Sequence, residues 1–508
     1  MKATEHSENA GHLKLKWLGI DTYKEAVIYM QKECSICKSE GFEVHTRIRV
    51  TLGDKSILAT LNHIDNGILG EHQASLSKYA WNLLNAKDGD TVLLSHPKPL
   101  QSLSFVRSKV YGHTLQYVET KQIIEDIAQG NYSDIHIATF LTACAGGRLN
   151  ESEIIDLTKS MTQVGKHLSW QQEMIVDKHC IGGLPGNRTT LIIVPIVTAF
   201  GLMMPKTSSR AITSPAGTAD TMETLAPVDL NIDAMRRVVE QENGCIVWGG
   251  AVDLSPADDL LVRVERAMDI DSEGQLIASV ISKKVSAGST HIVIDIPVGP
   301  TAKTRSLEMA QLLENLFQVV GSALGVTLKI LKTDGTQPVG FGIGPALEAQ
   351  DVLAVLQNHP NAPQDLRRRA LILAGMILEF SPLVPAGEGI KIATQLLNSG
   401  KAWNKFQAIC RAQGGLREPP TAAYTHAITA VHQGKVVNID NRNLSRIAKL
   451  AGAPHDKAAG ITLHTALEAV VEKDQPLYTI HSESRGALRY ALSLLDQIPT
   501  VVQIEASE

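Results

Sequence analysis

Along residues 42–52, apolar and polar side chains alternate with the two-residue period of a half-buried β-strand. The apolar positions are Phe42, Val44, Ile48, Val50 and Leu52, and the polar positions include Glu43, His45, Arg47 and Arg49. A turn at Gly53-Asp54-Lys55 leads into the apolar stretch 57–64, which predicts a β-hairpin. A helix is predicted next, over 74–84. The pattern therefore predicts a small β-rich domain over residues 1–100.

The apolar spacing becomes helical after about residue 100. Apolar side chains recur at intervals of three and four positions, as at Ile123, Ile124 and Ile127. Asn150 followed by Glu153 has the pattern of a capping box and predicts another helix start. These segments predict a small domain of packed helices over 101–158 together with 255–287.

Strands and helices then alternate, as they do in an α/β layer with a largely parallel or mixed sheet. Met174-Ile175-Val176 ends one candidate strand, and 292–298 and 328–331 form two others. Helices are predicted over 307–324 and 346–356. In such sheets ligands bind beyond the carboxyl ends of the strands. The residues that follow Val176 are therefore candidates for a binding site.

The predicted fold class is α/β: a small helical domain beside a large α/β domain, with an extra β-rich N-terminal domain and a C-terminal α+β domain. Shorter strand and helix patterns after residue 418 indicate the last of these. The predicted boundaries are 1–100 for the N-terminal domain, 101–158 with 255–287 for the helical domain, 159–254 with 288–417 for the α/β domain, and 418–508 for the C-terminal domain.

Composition narrows the class of protein and its compartment. The 508 residues are 44% hydrophobic and 20% charged, as in ordinary globular proteins, and the net charge of -5 argues against a general nucleic-acid binder. The polar N-terminus and the absence of a long apolar run predict neither a signal peptide nor a membrane span. Six cysteines favour a reducing cytoplasm. Cys34 and Cys37 form a single C-x-x-C, for which we expect a turn rather than a metal or redox site, because no second pair exists.

Two polar, glycine-bearing segments flank one apolar element. The first loop, residues 177–190, reads DKHCIGGLPGNRTT, and the second loop, residues 208–218, reads SSRAITSPAGT. Glycine lets backbone N–H groups approach and point towards an anion. The first loop lacks the lysine of a nucleoside triphosphatase P-loop, so that class is disfavoured. We therefore predict a two-sided phosphate-binding site.

Ser279 and Lys283 form a second candidate constellation. They lie four positions apart in a predicted helix over 275–286 and therefore share one face. Such a pair could read the edge of a base across a cleft. By spacing alone, an exposed surface lysine is the favoured interpretation.

The motifs DKH-x-x-GG and S-x-R…GT-x-D resemble those of the thymidine phosphorylase family, whose members cleave nucleosides with inorganic phosphate. The wording SSRAITSPAGTADTME is similar to the AMP phosphorylase branch of that family. The resemblance extends from about Ser104 to the C-terminus. It implies a pentosyltransferase, and the β-rich domain resembles the extra N-terminal domain of AMP phosphorylases.

The motifs and the resemblance together give the candidate site residues. Phosphate or nucleotide binding is expected of Lys178, Gly182, Gly183, Ser208, Ser209, Arg210, Ala211, Ile212, Thr213, Ser214, Thr218 and Lys303. The resemblance reverses the interpretation of Ser279 and Lys283, because the family places its base-binding serine and lysine there. Asp271 and His179 are the candidate proton donors to the leaving base, and the resemblance favours Asp271.

One departure from the family bears on the substrate. Val264 stands where thymidine phosphorylases carry an arginine that binds the pyrimidine carbonyl. An unpaired carbonyl would cost about 1–3 kcal/mol. The second loop instead offers Arg210 and several hydroxyls to a second phosphate. We therefore expect nucleoside 5′-monophosphates, AMP first, in preference to thymidine.

The predicted reaction is phosphorolysis of the N-glycosidic bond, which gives a free base and a pentose 1-phosphate, or a 1,5-bisphosphate from a monophosphate. Phosphate is a co-substrate, and no cofactor or metal is expected. The predicted assembly is a homodimer or a larger homo-oligomer, with no nucleic-acid or membrane partner. Thymidine phosphorylase is the main alternative. An anthranilate-type phosphoribosyltransferase, whose acidic magnesium-diphosphate clusters we do not find, and a non-catalytic nucleotide sensor are more remote.

Overall fold

The architecture is that of a computed structural model, which describes residues 11–65, 67–211, 214–252, 254–268, 270, 272–498 and 500–506. These residues fall into two compact units, one of residues up to 144 with 260–268 and the other of 145–259 with the residues from 269 onward. None of the helices in the described ranges combines the length and the apolar character that a membrane crossing requires.

The first unit begins with a closed six-stranded barrel. Its strands are β1 (His12–Leu15), β2 (Val27–Gln31), β3 (Arg47–Leu52), β4 (Lys55–Ile64), β5 (Gln73–Leu76) and β6 (Thr91–Ser95), and its helices are α1 (Ser35–Glu40) and α2 (Lys78–Leu84). Around the barrel the order is β1-β5-β2-β4-β3-β6, and β6 pairs with β1 to close it.

The predicted hairpin is confirmed, because β3 and β4 pair antiparallel with Leu52 opposite Lys55. The strand predicted over 42–52 is too long, however. It begins only at Arg47, since the chain turns at His45, where φ is 68°.

The helix predicted over 74–84 is wrong in its first turn. Gln73–Leu76 form β5, and the helix begins at Lys78. The Oγ atom of Ser77 accepts a hydrogen bond from the N–H of Ala80 at 3.3 Å and so caps the helix. A short apolar run fits the period of a strand as well as that of a helix. Here strand pairing in the barrel makes residues 73–76 a strand.

Cys34 and Cys37 form the first turn of α1. Both are buried, their sulfur atoms are 3.1 Å apart, and Sγ of Cys34 accepts the N–H of Cys37 at 3.2 Å. Among the residues that the structure describes, no group of three or more His, Cys, Asp or Glu side chains is placed to hold a metal ion.

Helices complete the first unit. They are α3 (Ser102–Val110), α4 (Tyr117–Ala128), α5 (Asp134–Cys144) and the segment 260–268 of a later helix. The guanidinium of Arg47 on β3 donates to the carbonyl of Gly130 at 2.6 Å, and Arg263 forms an ion pair with Asp134. The barrel and these helices are therefore tied together by polar contacts.

The second unit opens with α6 (Glu151–Gln163), whose predicted capping box is confirmed. The side chain of Asn150 accepts the N–H of Glu153 at 2.9 Å, and the carboxylate of Glu153 accepts the N–H of Asn150 at 3.1 Å. Two orphan donors at the helix start are satisfied by this exchange.

Parallel strands form the centre of this unit. They are β7 (Val176–Cys180), β8 (Met204–Ser208), β9 (Gly244–Trp248), β10 (His291–Val298) and β11 (Thr327–Asp334). The order β11-β10-β7 makes one parallel sheet and β8-β9 a second, and an isolated parallel bridge between Ile175 and Met203 joins them. The strand predicted to end at Val176 instead begins there, so that β7 includes residues 177–180 of the first loop, and the carboxyl end of β8 leads into the second loop.

Helices alternate with these strands along the chain and follow them. They are α7 (Thr190–Phe200), α8 (Thr218–Glu223), α9 (Ile232–Glu242), α10 (Pro256–Met268), α11 (Glu273–Ser286), α12 (Leu307–Ala323), α13 (Pro345–Leu356), α14 (Gln364–Leu378), α15 (Gly389–Asn398) and α16 (Lys401–Gln413), with a 3₁₀ turn at Gly249–Ala251. Residues 190–198 of α7 are buried, and the apolar ones belong to the core that the helix shares with α14 and α16. Its N-terminus, at the end of the first loop, is therefore fixed.

The C-terminal part contains two small antiparallel sheets. Their elements are β12 (Gly342–Ile343), β13 (Tyr424–Thr429), β14 (Gly434–Ile439), α17 (Asn441–Leu450), β15 (Gly460–Leu463), β16 (Val470–Val471), β17 (Pro476–Ser482), α18 (Arg485–Leu495) and β18 (Val502–Ala506). The orders are β12-β15-β17-β13 and β16-β14-β18.

Glycines fix the path of the first loop. Gly182, Gly183 and Gly186 have φ values of 93°, 81° and 74°, which side chains other than glycine rarely adopt. A Cβ atom at Gly183 would overlap the backbone of Lys303, and one at Gly186 would overlap the carbonyl of Val339. The loop therefore packs backbone against backbone.

We predict that Gly183→Ala destabilises the protein more than Gly201→Ala. Both residues have positive φ, 81° and 111°, so both variants carry the left-handed penalty of about 1–2 kcal/mol. Among the described residues, nothing lies within 4 Å of a Cβ atom at Gly201, whereas a Cβ atom at Gly183 adds an overlap that costs about 1–3 kcal/mol. Thermal unfolding should show the larger fall for Gly183→Ala. Equal falls would contradict the packing described here.

Candidate active site

Lys178 lies within β7, and its side chain is only 1% exposed. Its Nζ donates to Oγ1 of Thr189 at 2.9 Å and lies 3.7 Å from the carboxylate of Asp295 on the paired strand β10. That carboxylate also accepts hydrogen bonds from Asn187 at 3.2 Å and Thr333 at 2.6 Å. An ammonium group has three donors, so Lys178 can bind a further anionic oxygen beside the first loop.

Three predicted residues meet at the first loop. Gly182 and Gly183 turn the chain directly after β7, and Gly183 lies against the backbone of Lys303. Within the described chain, no atom stands within 4 Å of the Cβ direction of Gly182, so that side of the loop is open. Lys303 thus adjoins the loop, and nucleotide binding by Lys303 stays a prediction.

Arg188 connects the first loop to the second. Its buried guanidinium donates to Oγ1 of Thr218 at 3.2 Å and to the carbonyl of Ala216 at 3.0 Å, and it forms an ion pair with Glu348. The carboxylate of Glu348 also accepts a hydrogen bond from Thr221 at 3.0 Å. Burial raises the pKa of Glu348 and the charge of Arg188 opposes that rise. Thr218 is therefore positioned from the first loop.

The second loop folds back on itself. Ser208 ends β8 in a buried position, and no hydrogen-bond partner for its Oγ is found among the described residues. A Cβ atom at Gly217 would overlap the backbone of Arg210. The carboxylate of Asp220 accepts the N–H groups of Ala211 at 2.6 Å and Gly217 at 2.9 Å. Because buried hydroxyls are normally paired, Ser208 is suited to meet a ligand oxygen.

The guanidinium of Arg210 is directed at carboxylates. It makes two hydrogen bonds of 2.8 Å to Glu223, contacts Asp220 at 3.3 Å and Asp229 at 3.2 Å, and lies 4.8 Å from the ring centre of Trp248. The hydrogen bonds from Arg210 lower the pKa of Glu223 to about 2 and raise the pKa of the arginine. The sequence led us to expect this side chain on a phosphate. In the structure it anchors the loop, and phosphate binding by Arg210 stays a prediction.

Three predicted site residues, Ile212, Thr213 and Asp271, lie outside the described residues. Of the remaining second-loop residues, Ser209 is exposed, and Ser214 donates from its Oγ to the carbonyl of Ala216 at 2.9 Å. Ser209 is therefore accessible to a ligand, and Ser214 shapes the turn.

Ser279 and Lys283 share one face of α11, as predicted. The Nζ of Lys283 donates to Oγ of Ser279 at 3.1 Å and to the carboxylate of Asp258 at 2.7 Å. Asp258 is buried near the start of α10, where its charge holds the lysine. Val264 is buried farther along that helix. The pair is thus a fixed donor arrangement and not a freely solvated lysine.

His179 follows Lys178 on β7 and is partly exposed. Burial chiefly, together with four surrounding cations, holds its pKa well below the usual value near 6.5; the cations are Lys284, Lys206, Lys283 and Lys178. Its imidazole is therefore neutral at neutral pH. In that form it can offer a hydrogen bond but is not a charged acid.

Several residues around Lys178 were missed from the sequence: Asp177, Thr189, Lys206, Lys284 and Asp295. The available signal was a charged residue inside a strand predicted to be buried, such as Asp295 in the apolar run 291–298. Buried charges require partners, so each could have been marked as part of a network. Their partners, however, are distant in sequence.

Family comparisons agree with this architecture. Residues 103–165 match the family described as a glycosyl transferase helical bundle domain, and residues 172–403 match the glycosyl transferase a/b domain. Residues 435–500 match the pyrimidine nucleoside phosphorylase C-terminal domain. The predicted fold class is confirmed.

A solved structure shows the same fold. The anthranilate phosphoribosyltransferase of Thermus thermophilus aligns with a TM-score of 0.50 and 18% identity, over 61% of this chain and 98% of that chain. At this identity the likeness concerns the fold alone.

Relatives cover nearly the whole chain. A Legionella pneumophila (strain Paris) protein named "Putative thymidine phosphorylase" is 62% identical, over 97% of this chain and 95% of its own length. Proteins of the same name from a Polaromonas species and from Maricaulis maris are 58% and 57% identical, over 94% and 98% of this chain and 94% and 96% of their own. The chain therefore belongs to the thymidine phosphorylase family and is a pentosyltransferase of the nucleoside phosphorylase type.

Proposed function

We propose that this enzyme cleaves nucleoside 5′-monophosphates, AMP first, with inorganic phosphate, giving a free base and a pentose 1,5-bisphosphate. The observation that carries the phosphorolytic part is the buried ammonium of Lys178, two residues before the carboxyl end of the parallel strand β7. Ligands bind at that end of the strands in α/β sheets. The reaction needs phosphate as a co-substrate and, as proposed, no metal or cofactor.

Phosphate is both the nucleophile and the counter-charge in this proposal. Breaking the glycosidic bond makes the sugar cationic, and phosphate attacks C1′ as the base departs. Lys178 and the hydroxyls of Ser208 and Thr218 would hold its oxygens, with N–H groups of Gly182 and Gly183. Such preorganised donors stabilise charge without further rearrangement.

The leaving base gains negative charge and needs a proton or strong hydrogen bonds. Lys283 donates to Ser279 on the same face of α11, and the two side chains would hold the base. Since the pKa of His179 is lowered, that residue is better suited to donating a neutral hydrogen bond than to acting as the acid. Asp271 is our proposed proton donor.

The monophosphate preference is argued from the second loop. Arg210 is anchored by two hydrogen bonds to Glu223, and the neighbouring Ser209 is exposed. An exposed hydroxyl beside an anchored guanidinium suits a 5′-phosphate. Thymidine is the second candidate, because the relatives carry the name thymidine phosphorylase. A homodimer stays a prediction.

We predict that Lys178→Ala lowers kcat/KM. The expected loss of transition-state stabilisation is about 2–4 kcal/mol, which is usual when one preorganised donor is removed. Lys332→Ala is the control, because Lys332 lies on β11 of the same sheet and pairs with Glu314 at 2.7 Å. Release of free base from nucleotide and phosphate, in metal-free buffer, is the measurement. Activity of Lys178→Ala within about threefold of the parent would refute the assignment.

A substrate panel tests the preference. We expect the highest kcat/KM with AMP. A neutral nucleoside would leave the polar groups that bind the 5′-phosphate unpaired, and discrimination of about 10⁴-fold is attainable at such a site. Chromatography of the released bases gives the ranking. Efficient cleavage of thymidine with AMP untouched would overturn the preference and leave phosphorolysis standing.

Arg210→Ala should lower kcat/KM with the monophosphate about ten- to a hundredfold more than with the matching nucleoside, the range expected for hydrogen bonds to charged groups. Lys457→Ala is the matched control, because Lys457 binds the same Glu223 at 2.7 Å and is, like Arg210, 30% exposed. If Arg210→Ala and Lys457→Ala change kcat/KM alike, the change results from the loss of a partner of Glu223 and not from the loss of a phosphate contact in the second loop.

A further inference from the structure

The carboxylate of Asp177, next to Lys178 on β7, is buried and satisfied on both oxygens. Its Oδ1 lies 2.7 Å from the backbone nitrogen of Lys178 and 3.0 Å from Nζ of Lys206. Its Oδ2 lies 2.7 Å from Nζ of Lys284 and 3.4 Å from Oγ of Ser289. A buried carboxylate with donors on both oxygens is held in one orientation.

Lys206 bridges a gap between two strands. β7 and β8 are joined by the bridge between Ile175 and Met203, and beyond it no ladder pairs them among the described residues. There the ammonium of Lys206 on β8 donates to the carbonyl of Lys178 at 2.8 Å. The N–H of Lys178 is held by Asp177 and its carbonyl by Lys206. Both flanking peptide groups of Lys178 are thus fixed.

Lys284 brings a third element to the same carboxylate. It lies on α11 directly after Lys283, and its Nζ also approaches the carbonyl of Thr207 at 3.4 Å. Burial lowers the pKa of Lys284, and the nearby carboxylate of Asp177 opposes this shift. The helix that carries the base-binding pair is therefore anchored to the strand that carries Lys178.

A purely stabilising role explains this arrangement poorly. Three buried lysines, Lys178, Lys206 and Lys284, face two buried carboxylates, Asp177 and Asp295. Buried ion pairs seldom exceed the cost of their desolvation, and a second cation on one carboxylate adds to that cost. An excess of positive charge is useful, however, where an anion must bind.

We propose that Asp177, Lys206 and Lys284 are positioning residues that fix the backbone of Lys178 for the attacking phosphate and tie α11 to the phosphate site. The inference rests on the proposed phosphorolysis. The triad acts through Lys178 and through excess charge. Its loss should therefore weaken phosphate affinity in molecules that are still folded, which loss of folding alone would not do.

The test uses Lys206→Met, Lys284→Met and the more conservative Lys284→Gln, which keeps a donor but removes the charge. Lys405→Met is the control, since it removes a cation paired with Glu242 at 2.9 Å in the same unit. Binding of inorganic phosphate is measured by calorimetry, and KM for phosphate and kcat are measured by base release. We expect the phosphate Kd and the KM for phosphate to rise about ten- to a hundredfold in both methionine variants, which is the range for misplacement of reacting groups. The rise should be smaller in Lys284→Gln. Neither constant should rise in Lys405→Met.

Lower kcat at unchanged phosphate Kd and KM would overturn the proposal, because fewer folded molecules would then account for the loss. Unchanged phosphate binding in folded Lys284→Gln together with Lys206→Met would also overturn it. If the methionine variants do not fold, the phosphate Kd of Lys284→Gln is the deciding measurement, and we expect it to be raised. If the parent protein itself neither binds phosphate nor releases base, the proposed function fails instead.

Discussion

The second unit is organised around the burial of a charged lysine at the end of a parallel strand. Lys178 keeps its ammonium group in the interior with one hydroxyl partner and a carboxylate 3.7 Å away. Such a group is costly to desolvate unless its surroundings supply compensating charge and hydrogen bonds. The strands β7, β8 and β10 and the helix α11 each supply one charged side chain to these surroundings. The position of the strands therefore sets the chemistry at their edge.

Side-chain hydrogen bonds and backbone packing hold the first and second loops in place. Arg188 of the first loop binds Thr218 and the carbonyl of Ala216, and Gly183 lets the loop lie against Lys303. Arg210 anchors the second loop through its two hydrogen bonds to Glu223. Arginine is well suited to this, since its planar fork binds two partners at once. The hydroxyls and N–H groups of both loops are thus placed before a ligand arrives.

The sequence predicted those features that depend on neighbouring residues. The capping box at Asn150, the hairpin that starts at Leu52 and the shared face of Ser279 and Lys283 all follow from local spacing. The helix start within 74–84 was misplaced because a barrel strand used the same apolar residues. The triad on Asp177 could not be predicted from spacing, since its lysines come from β8 and α11 and meet only in the fold.

The same charges bear on how the leaving base is stabilised. Burial and the cations around Lys178, to which we assign the binding of phosphate, lower the pKa of His179 and so remove it as a charged acid. Lys283 is one of those cations, yet its partner Asp258 lies 2.7 Å away and offsets part of its charge. A base that leaves as an anion is consequently met by hydrogen bonds more than by net charge. In the proposed reaction the site would thus separate two tasks: excess positive charge would bind the incoming phosphate, and the oriented Ser279–Lys283 pair would hold the departing base.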